Sequence, residues 1–312
     1  MRVVNVTVDN AETVEKQHVY AIGMFDGVHL GHQKVIQVAQ SHARRLGLSS
    51  GVVTFDRHPS LVVDPSRRGL SLMSTHQRLE AIAELCVDTV VLLRFDEKLA
   101  AMPAYDFVKN MLVDGLRVGM AVVGENHTFG RHAEGSVEDL KRMGAQLGFS
   151  VEVVPAVRID DAVVSSTLIR SLVSSGDVAR ARRYLGRPFS IRGVVVEGRH
   201  LGRQLGFPTM NLYPDPQQVV PARGVYVATV AIEGDPQPRW GICNVGMKPT
   251  VPVDRLIVEV HVLDYDQQVY GKWIEIGFLS FLRGEQRFDS LDELKVAISA
   301  DESAARKWIA GS

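Results

Sequence analysis

Only two of the 312 residues are cysteine, Cys86 and Cys243, and they form no C-x-x-C pattern. A disulfide framework is therefore not expected. Both fall in apolar stretches, which predicts two buried, reduced thiols. No apolar run approaches the roughly 18 residues of a membrane span. The N-terminal stretch MRVVNVTVDN lacks the apolar segment of a secretory signal. A cytoplasmic protein with no membrane partner is expected. Neither charge is in excess, with 35 Lys and Arg against 36 Asp and Glu and a net charge of −1. A polyanion-binding surface, and with it nucleic acid as a partner, is not expected. No G-x-x-x-x-G-K-[ST] segment occurs, which excludes a P-loop.

What is present is ample apolar material, 46% hydrophobic against 23% charged residues, in a chain long enough for two domains. In the first half strand and helix patterns alternate. Strands are predicted over 18–25, 51–55, 89–93, 120–124 and 150–154, and helices over 33–46, 76–85, 104–112 and 137–147. Such alternation predicts an α/β fold with a parallel sheet covered on both faces, binding ligands beyond the C-terminal strand ends. A helix over 165–174 and another capped by Asp177 follow. Arg187-Pro188 then breaks the pattern, so domains of 1–186 and 187–312 are expected. Beyond it, strands over 190–197, 224–232, 240–245, 256–263 and 273–281 predict a small antiparallel β-barrel. A capping box, Ser290-Leu-Asp-Glu293, starts a terminal helix with Leu294, Ile298, Ala305 and Ile309 as its apolar stripe.

The strongest chemical signal is Gly23-Met24-Phe25-Asp26-Gly27-Val28-His29-Leu30-Gly31-His32. A buried strand ends, the chain turns, and two histidines spaced i and i+3 stand at the mouth of a helix. Helix N-termini offer N–H groups and partial positive charge to phosphate. Two imidazoles there can donate hydrogen bonds as charge builds in a displacement at phosphorus. A zinc site is not expected, because no further ligand lies at a suitable spacing. Ser165-Ser166-Thr167-Leu168-Ile169-Arg170 converges hydroxyls and free N–H groups at a second helix entrance, with Arg170 one turn on.

Together with Thr54-Phe55-Asp56-Arg57-His58-Pro59 and Val123-Gly124-Glu125-Asn126-His127-Thr128-Phe129-Gly130, these segments resemble the nucleotidyltransferase signature of bacterial FAD synthetases. The resemblance covers essentially the full chain. It implies a Rossmann-like H-x-G-H domain. In it Gly23, Phe25, Asp26, His29, His32, Asn126, Ser165, Ser166, Thr167 and Arg170 surround ATP, with Phe129 and His58 nearer the flavin. His127 stands where relatives often carry Phe and can still stack.

In the second half, Leu205-Gly206-Phe207-Pro208-Thr209-Met210-Asn211-Leu212 puts Thr209 and Asn211 on one side of an extended segment. Their oxygens are hard ligands suited to Mg²⁺. Val258-Glu259-Val260-His261-Val262 sets Glu259 and His261 opposite three valines, a costly place for a carboxylate unless it is exposed, paired or functional. The Pro-Thr-x-Asn segment resembles the riboflavin kinase signature. So do Gly224-Val-Tyr226, Asn244-Val-Gly246-x-x-Pro249-Thr250, Tyr270-Gly-Lys272 and Leu282-Arg283-x-Glu285-x-x-Phe288. The resemblance implies that Glu259 is the general base toward the riboflavin 5′-hydroxyl. It also implies nucleotide contacts at Gly198, Gly202, Arg203, Thr209 and Asn211. The loop Gly198-Arg199-His200-Leu201-Gly202-Arg203 departs from the usual G-x-G-[R/K]-G, with His200 for a glycine and Leu201 for a basic residue. The reading is a bifunctional enzyme that converts riboflavin to FMN with MgATP, then FMN and ATP to FAD. The altered loop motivates one alternative, an FMN adenylyltransferase with an impaired kinase half. A flavin-binding regulatory or storage protein is another.

Overall fold

The computed structural model describes residues 1–10, 16–63, 66, 71–198, 202, 205–248 and 255–311. The expectations at Arg199, His200, Leu201, Arg203, Pro249 and Thr250 lie outside these residues. The chain divides into two compact units, Met1–Ser166 and Thr167–Ser312.

In the first unit β1 (Arg2–Val6), β2 (His18–Ile22), β3 (Ser49–Phe55), β4 (Thr89–Leu93), β5 (Val118–Gly124) and β6 (Ser150–Val154) form one parallel sheet. The strand order is β1-β4-β3-β2-β5-β6. Alternate residues feed opposite faces. Val19, Ala21, Val52 and Val90 pack with Val35, Ile36 and Ala39 of the Leu30–Leu46 helix. Tyr20, Ile22, Val53 and Val91 join Val108, Met111 and Leu140 on the other face. The predicted strand over 18–25 stops at Ile22, because Phe25 (φ 52°) and Val28 (φ 40°) turn the chain in the left-handed region. The helix expected over 104–112 starts as one α-turn, Ala104–Asp106, and runs on as a π-helix over Phe107–Gly115. Cys86 corrects an expectation. It is exposed at a left-handed turn (φ 58°) after the Thr75–Ala83 helix, where the chain reverses so that Val87 is buried in its place. Cys243 is buried as expected, and burial pushes its thiol pKa well up. A two-stranded hairpin, β7 (Arg158–Ile159) and β8 (Ala162–Val163), precedes the end of the unit.

The second unit takes in all but the first residue of the helix Ser166–Ser174, and then the helix Val178–Leu185, capped by Asp177 and ended by Gly186. The Val178–Leu185 helix packs on β9 (Phe189–Val194) and β14 (Trp273–Gly284). By packing, then, the unit begins ahead of the break expected at 186–187. With β10 (Met210–Leu212), β11 (Gly224–Ile232), β12 (Arg239–Lys248) and β13 (Arg255–Val262), these strands form an antiparallel sheet ordered β10-β13-β12-β11-β14-β9. Val196, just past β9, bridges Asn211 of β10 and so joins the two edges into the expected barrel. The terminal helix, Leu291–Ala310, is capped by Ser290. It sets Ala305, Trp308 and Ile309 against Val225, Val227 and Leu279.

Candidate active sites

In the first unit the site grows from the ends of β2 and β5, the point where successive strands change direction across the sheet. The peptide after Gly23 is held from below. Thr54 Oγ1 donates to the Met24 carbonyl at 2.9 Å, and so does Arg78 Nη1 at 3.4 Å. Asp26 is 2% exposed and faces inward, its Oδ1 accepting the Leu72 N–H at 2.8 Å. Its carbonyl accepts from Oγ of Ser166, the last residue of the same unit, at 2.8 Å. His29 is the N-cap of the Leu30–Leu46 helix, and its Nδ1 accepts the His32 N–H at 3.2 Å. In a neutral His29 ring the proton is therefore on Nε2. The two imidazoles stack, with centroids 3.5 Å apart and planes at 17°, and Phe25 meets His32 edge-on at 5.3 Å. A Cβ on Gly31 would lie 3.1 Å from His29 Cε1, so a side chain there would press on the stacked ring. Asn126 is exposed on the loop after β5. His127 stacks on Phe129 at 5.9 Å, and burial pushes its imidazole pKa down to about 4. Phe129 itself belongs to the core beside Phe107 and has little surface to offer a ligand. His58 Nδ1 accepts the Ser60 N–H, and Ser165 is half-buried.

Thr167 and Arg170 fall in the second unit. There Arg170 Nη2 donates to Thr167 Oγ1 at 3.2 Å in the first turn of their helix.

The second site is a cleft of about 370 Å³ between the barrel and the terminal helix. Register puts three polar residues side by side on its floor. Glu259 is the direct partner of Asn211 on one side and of Asn244 on the other. Val258, Val260 and Val262 face the core, so the alternation expected for this strand is observed. His261 Nδ1 donates to the Pro208 carbonyl at 2.8 Å and meets Phe207 edge-on at 5.5 Å, bracing the segment that carries Thr209. Thr209 and Asn211 also line a smaller adjoining cavity together with Gly198. A Cβ on Gly198 would stand 2.5 Å from Asn211 Nδ2. Asn211 is 3% exposed, and its Oδ1 has no hydrogen-bond partner among the described residues. Gly202 lines the cleft. Arg283 Nε and Nη2 grip Asp301 at 2.8 and 2.7 Å, clamping the terminal helix to β14 at the cleft wall.

Two of these residues, Arg78 and Asp301, were missed in the sequence, although spacing marks both. Arg78 lies one turn before the buried Ile82, and Asp301 falls between Ile298 and Ala305 in the apolar stripe.

The FAD synthetase family model matches residues 11–168, and the riboflavin kinase model matches residues 185–309. The bifunctional riboflavin kinase/FMN adenylyltransferase of Escherichia coli K12 is 38% identical over 93% of this chain and 92% of its own. The chain belongs to this bifunctional family. A second riboflavin kinase/FMN adenylyltransferase, from Pseudomonas fluorescens, is 40% identical over 94% of each chain. That of Bacillus subtilis is 32% identical over 99% of this chain and 98% of its own. A solved Streptococcus pneumoniae structure described as a macrolide-efflux protein shares the fold, with TM-score 0.88 and 31% identity over 97% of this chain and 99% of that one. Among the described residues no helix is long and apolar enough to cross a membrane. The riboflavin kinase match covers the barrel whole, which favours the two-activity reading over an adenylyltransferase alone.

Proposed function

We propose that the barrel phosphorylates riboflavin to FMN with ATP and that the parallel-sheet unit joins FMN to a second ATP, giving FAD and pyrophosphate. The observation that carries this is the separation of the chemistry. The stacked His29–His32 pair lies in one compact unit and the Asn211–Glu259–Asn244 row in the other.

In the kinase half, riboflavin occupies the 370 Å³ cleft, and Glu259 takes the proton of its 5′-hydroxyl as the oxygen attacks the γ-phosphorus and ADP departs with the bridging oxygen. Asn211 and Asn244 flank the carboxylate on the neighbouring strands. Mg²⁺ fits Thr209 and Asn211, because the buried Oδ1 of Asn211 is a hard donor without a partner among the described residues. Bound there, it would screen the charge of the ATP phosphates. Gly198 and Gly202 supply the close backbone approach to the nucleotide, and Arg203 is assigned to its phosphates by resemblance.

In the adenylyltransferase half, the FMN phosphate attacks the α-phosphorus of ATP and no protein nucleophile is needed. His29, donating through Nε2, and His32 stabilise the charge that develops. Gly23, Phe25 and Asn126 bind the nucleotide, and Asp26 and Ser166 hold the turn in shape. Ser165, Thr167 and Arg170 belong to the same motif and are assigned to the phosphates. On this reading the functional domains are 1–186 and 187–312. A cytoplasmic location is part of the reading, because both reactions consume ATP.

Incubating the purified protein with riboflavin, ATP and Mg²⁺, and resolving the flavins by chromatography, tests it. FMN and FAD are expected. FAD formed only from supplied FMN, or flavin binding without either product, would overturn it.

A further inference from the structure

Arg78 is a buried cation that the reaction as described does not use. It is 2% exposed on the Thr75–Ala83 helix, directly beneath the turn that carries Phe25 and His29. Its guanidinium spans the end of β3 and the turn that follows β2. Nη1 donates to the Met24 carbonyl at 3.4 Å, while Nη2 donates to the Phe55 carbonyl and to Thr75 Oγ1. Thr75 Oγ1 in turn donates to the Asp56 carbonyl at 2.6 Å. Burial lowers the guanidinium pKa, and the opposite charges of Asp26 and Asp56 close by counter that in part.

Trans planarity of the Met24–Phe25 peptide gives this contact a direction. With the Met24 carbonyl held by Arg78 and Thr54, the Phe25 N–H points the opposite way. Phe25 continues in the left-handed region, at φ 52°, a conformation that persists in a bulky residue only when its surroundings enforce it. Phe25 then meets His32 edge-on, and His32 stacks on His29. The path from Arg78 to the histidine pair thus runs through one peptide and one ring.

We infer that Arg78 is a positioning residue for adenylyl transfer: its fork locks the Met24–Phe25 peptide and so sets the backbone and histidines that receive ATP. A lysine at this position reaches one carbonyl with a point charge but lacks the planar fork that spans two. The inference rests on the assignment of residues 23–32 to ATP, and that assignment has its own test in the double histidine variant.

The experiment uses the full chain, with riboflavin phosphorylation in the second unit as internal reference. Arg78→Met is expected to lower kcat/KM for ATP in the FMN-to-FAD reaction by about tenfold or more, mostly through KM, with kinase kcat unchanged. Methylguanidinium is expected to restore part of the loss in Arg78→Ala. Thr54→Val, which removes the second donor to the same carbonyl, is expected to raise the same KM by a smaller factor. A wild-type KM for ATP in Arg78→Met and Thr54→Val would overturn the inference. So would a loss that tracks only the fraction of folded protein while KM stays constant. If Arg78→Met does not fold, Thr54→Val decides alone, a raised KM supporting the role and a wild-type KM refuting it.

Discussion

Glu259 and Asn211 stand directly opposite each other across β13 and β10, and Asn244 flanks the same carboxylate from β12. Direct cross-strand partners on one face bring their Cβ atoms to about 4.5–5.5 Å. A proposed base and a proposed metal ligand are therefore set by register and not by loop flexibility. Removing the base should leave that framework standing. Glu259→Gln is expected to lower riboflavin phosphorylation by roughly 10²–10⁴-fold, while conversion of supplied FMN to FAD stays near wild type. Chromatography of the two reactions checks this, and loss of both activities would contradict the two-site assignment.

The converse test concerns the stacked pair at the helix entrance. His29→Ala combined with His32→Ala removes both imidazoles from a unit separate from the barrel. FAD synthesis should drop by about two orders of magnitude or more with FMN formation retained. Unchanged FAD synthesis would refute the site.

A side chain at Gly198 would press on the Asn211 amide. In Gly198→Ala the new Cβ would meet Asn211 Nδ2 at 2.5 Å and must displace it. Overpacking of this kind costs about 1–3 kcal/mol. The KM for ATP in the kinase reaction is expected to rise by about tenfold or more, with adenylyl transfer untouched. Initial-rate kinetics at varied ATP would show it.

The Arg283–Asp301 clamp predicts a stability effect tied to substrate binding. Asp301 is 7% exposed, so Arg283→Met would strand a carboxylate at the cleft wall. The second unit should lose roughly 3 kcal/mol in denaturant unfolding. The KM for riboflavin should rise, because the helix that closes the cleft is no longer held to β14.

His127 predicts a pH dependence of stability in the first unit. Its folded pKa, about 4, lies below the ordinary 6.5, so protonation favours the unfolded chain. The contribution is fully present above about pH 6.5 and is lost as pH falls toward about 4. Urea unfolding of wild type and His127→Phe across that window should give a shallower slope for the variant. Equal slopes would show that the imidazole is not held neutral.

Much of this architecture is legible in local pattern. The strands over 89–93, 150–154 and 224–232 and the helix over 137–147 appear at the bounds that periodicity predicts, because their apolar residues face one or two covered sides. Strand β1 is not among the predicted strands, although Val4, Val6 and, just past its end, Val8 alternate there; its pairing with β4 at the sheet edge makes it part of the sheet. Arg78 and Asp301 show the same limit. Each sits at a core spacing, but a charge at such a spacing reads as an interruption until its partner is known.

The sequence by itself determined the chemistry of this protein: the histidine pair at a helix entrance, the Pro-Thr-x-Asn segment, the Glu259 strand, and the division into a parallel and an antiparallel half. These are local matters of residue type, spacing and period. Tertiary structure alone decided which residues stand beside them. Strand register set Asn211 and Asn244 on either side of Glu259, the barrel closed at Val196 and Asn211, and Arg78 came to rest beneath Met24. Such contacts join positions far apart in the chain. Their energies depend on burial and geometry that no short window of residues contains.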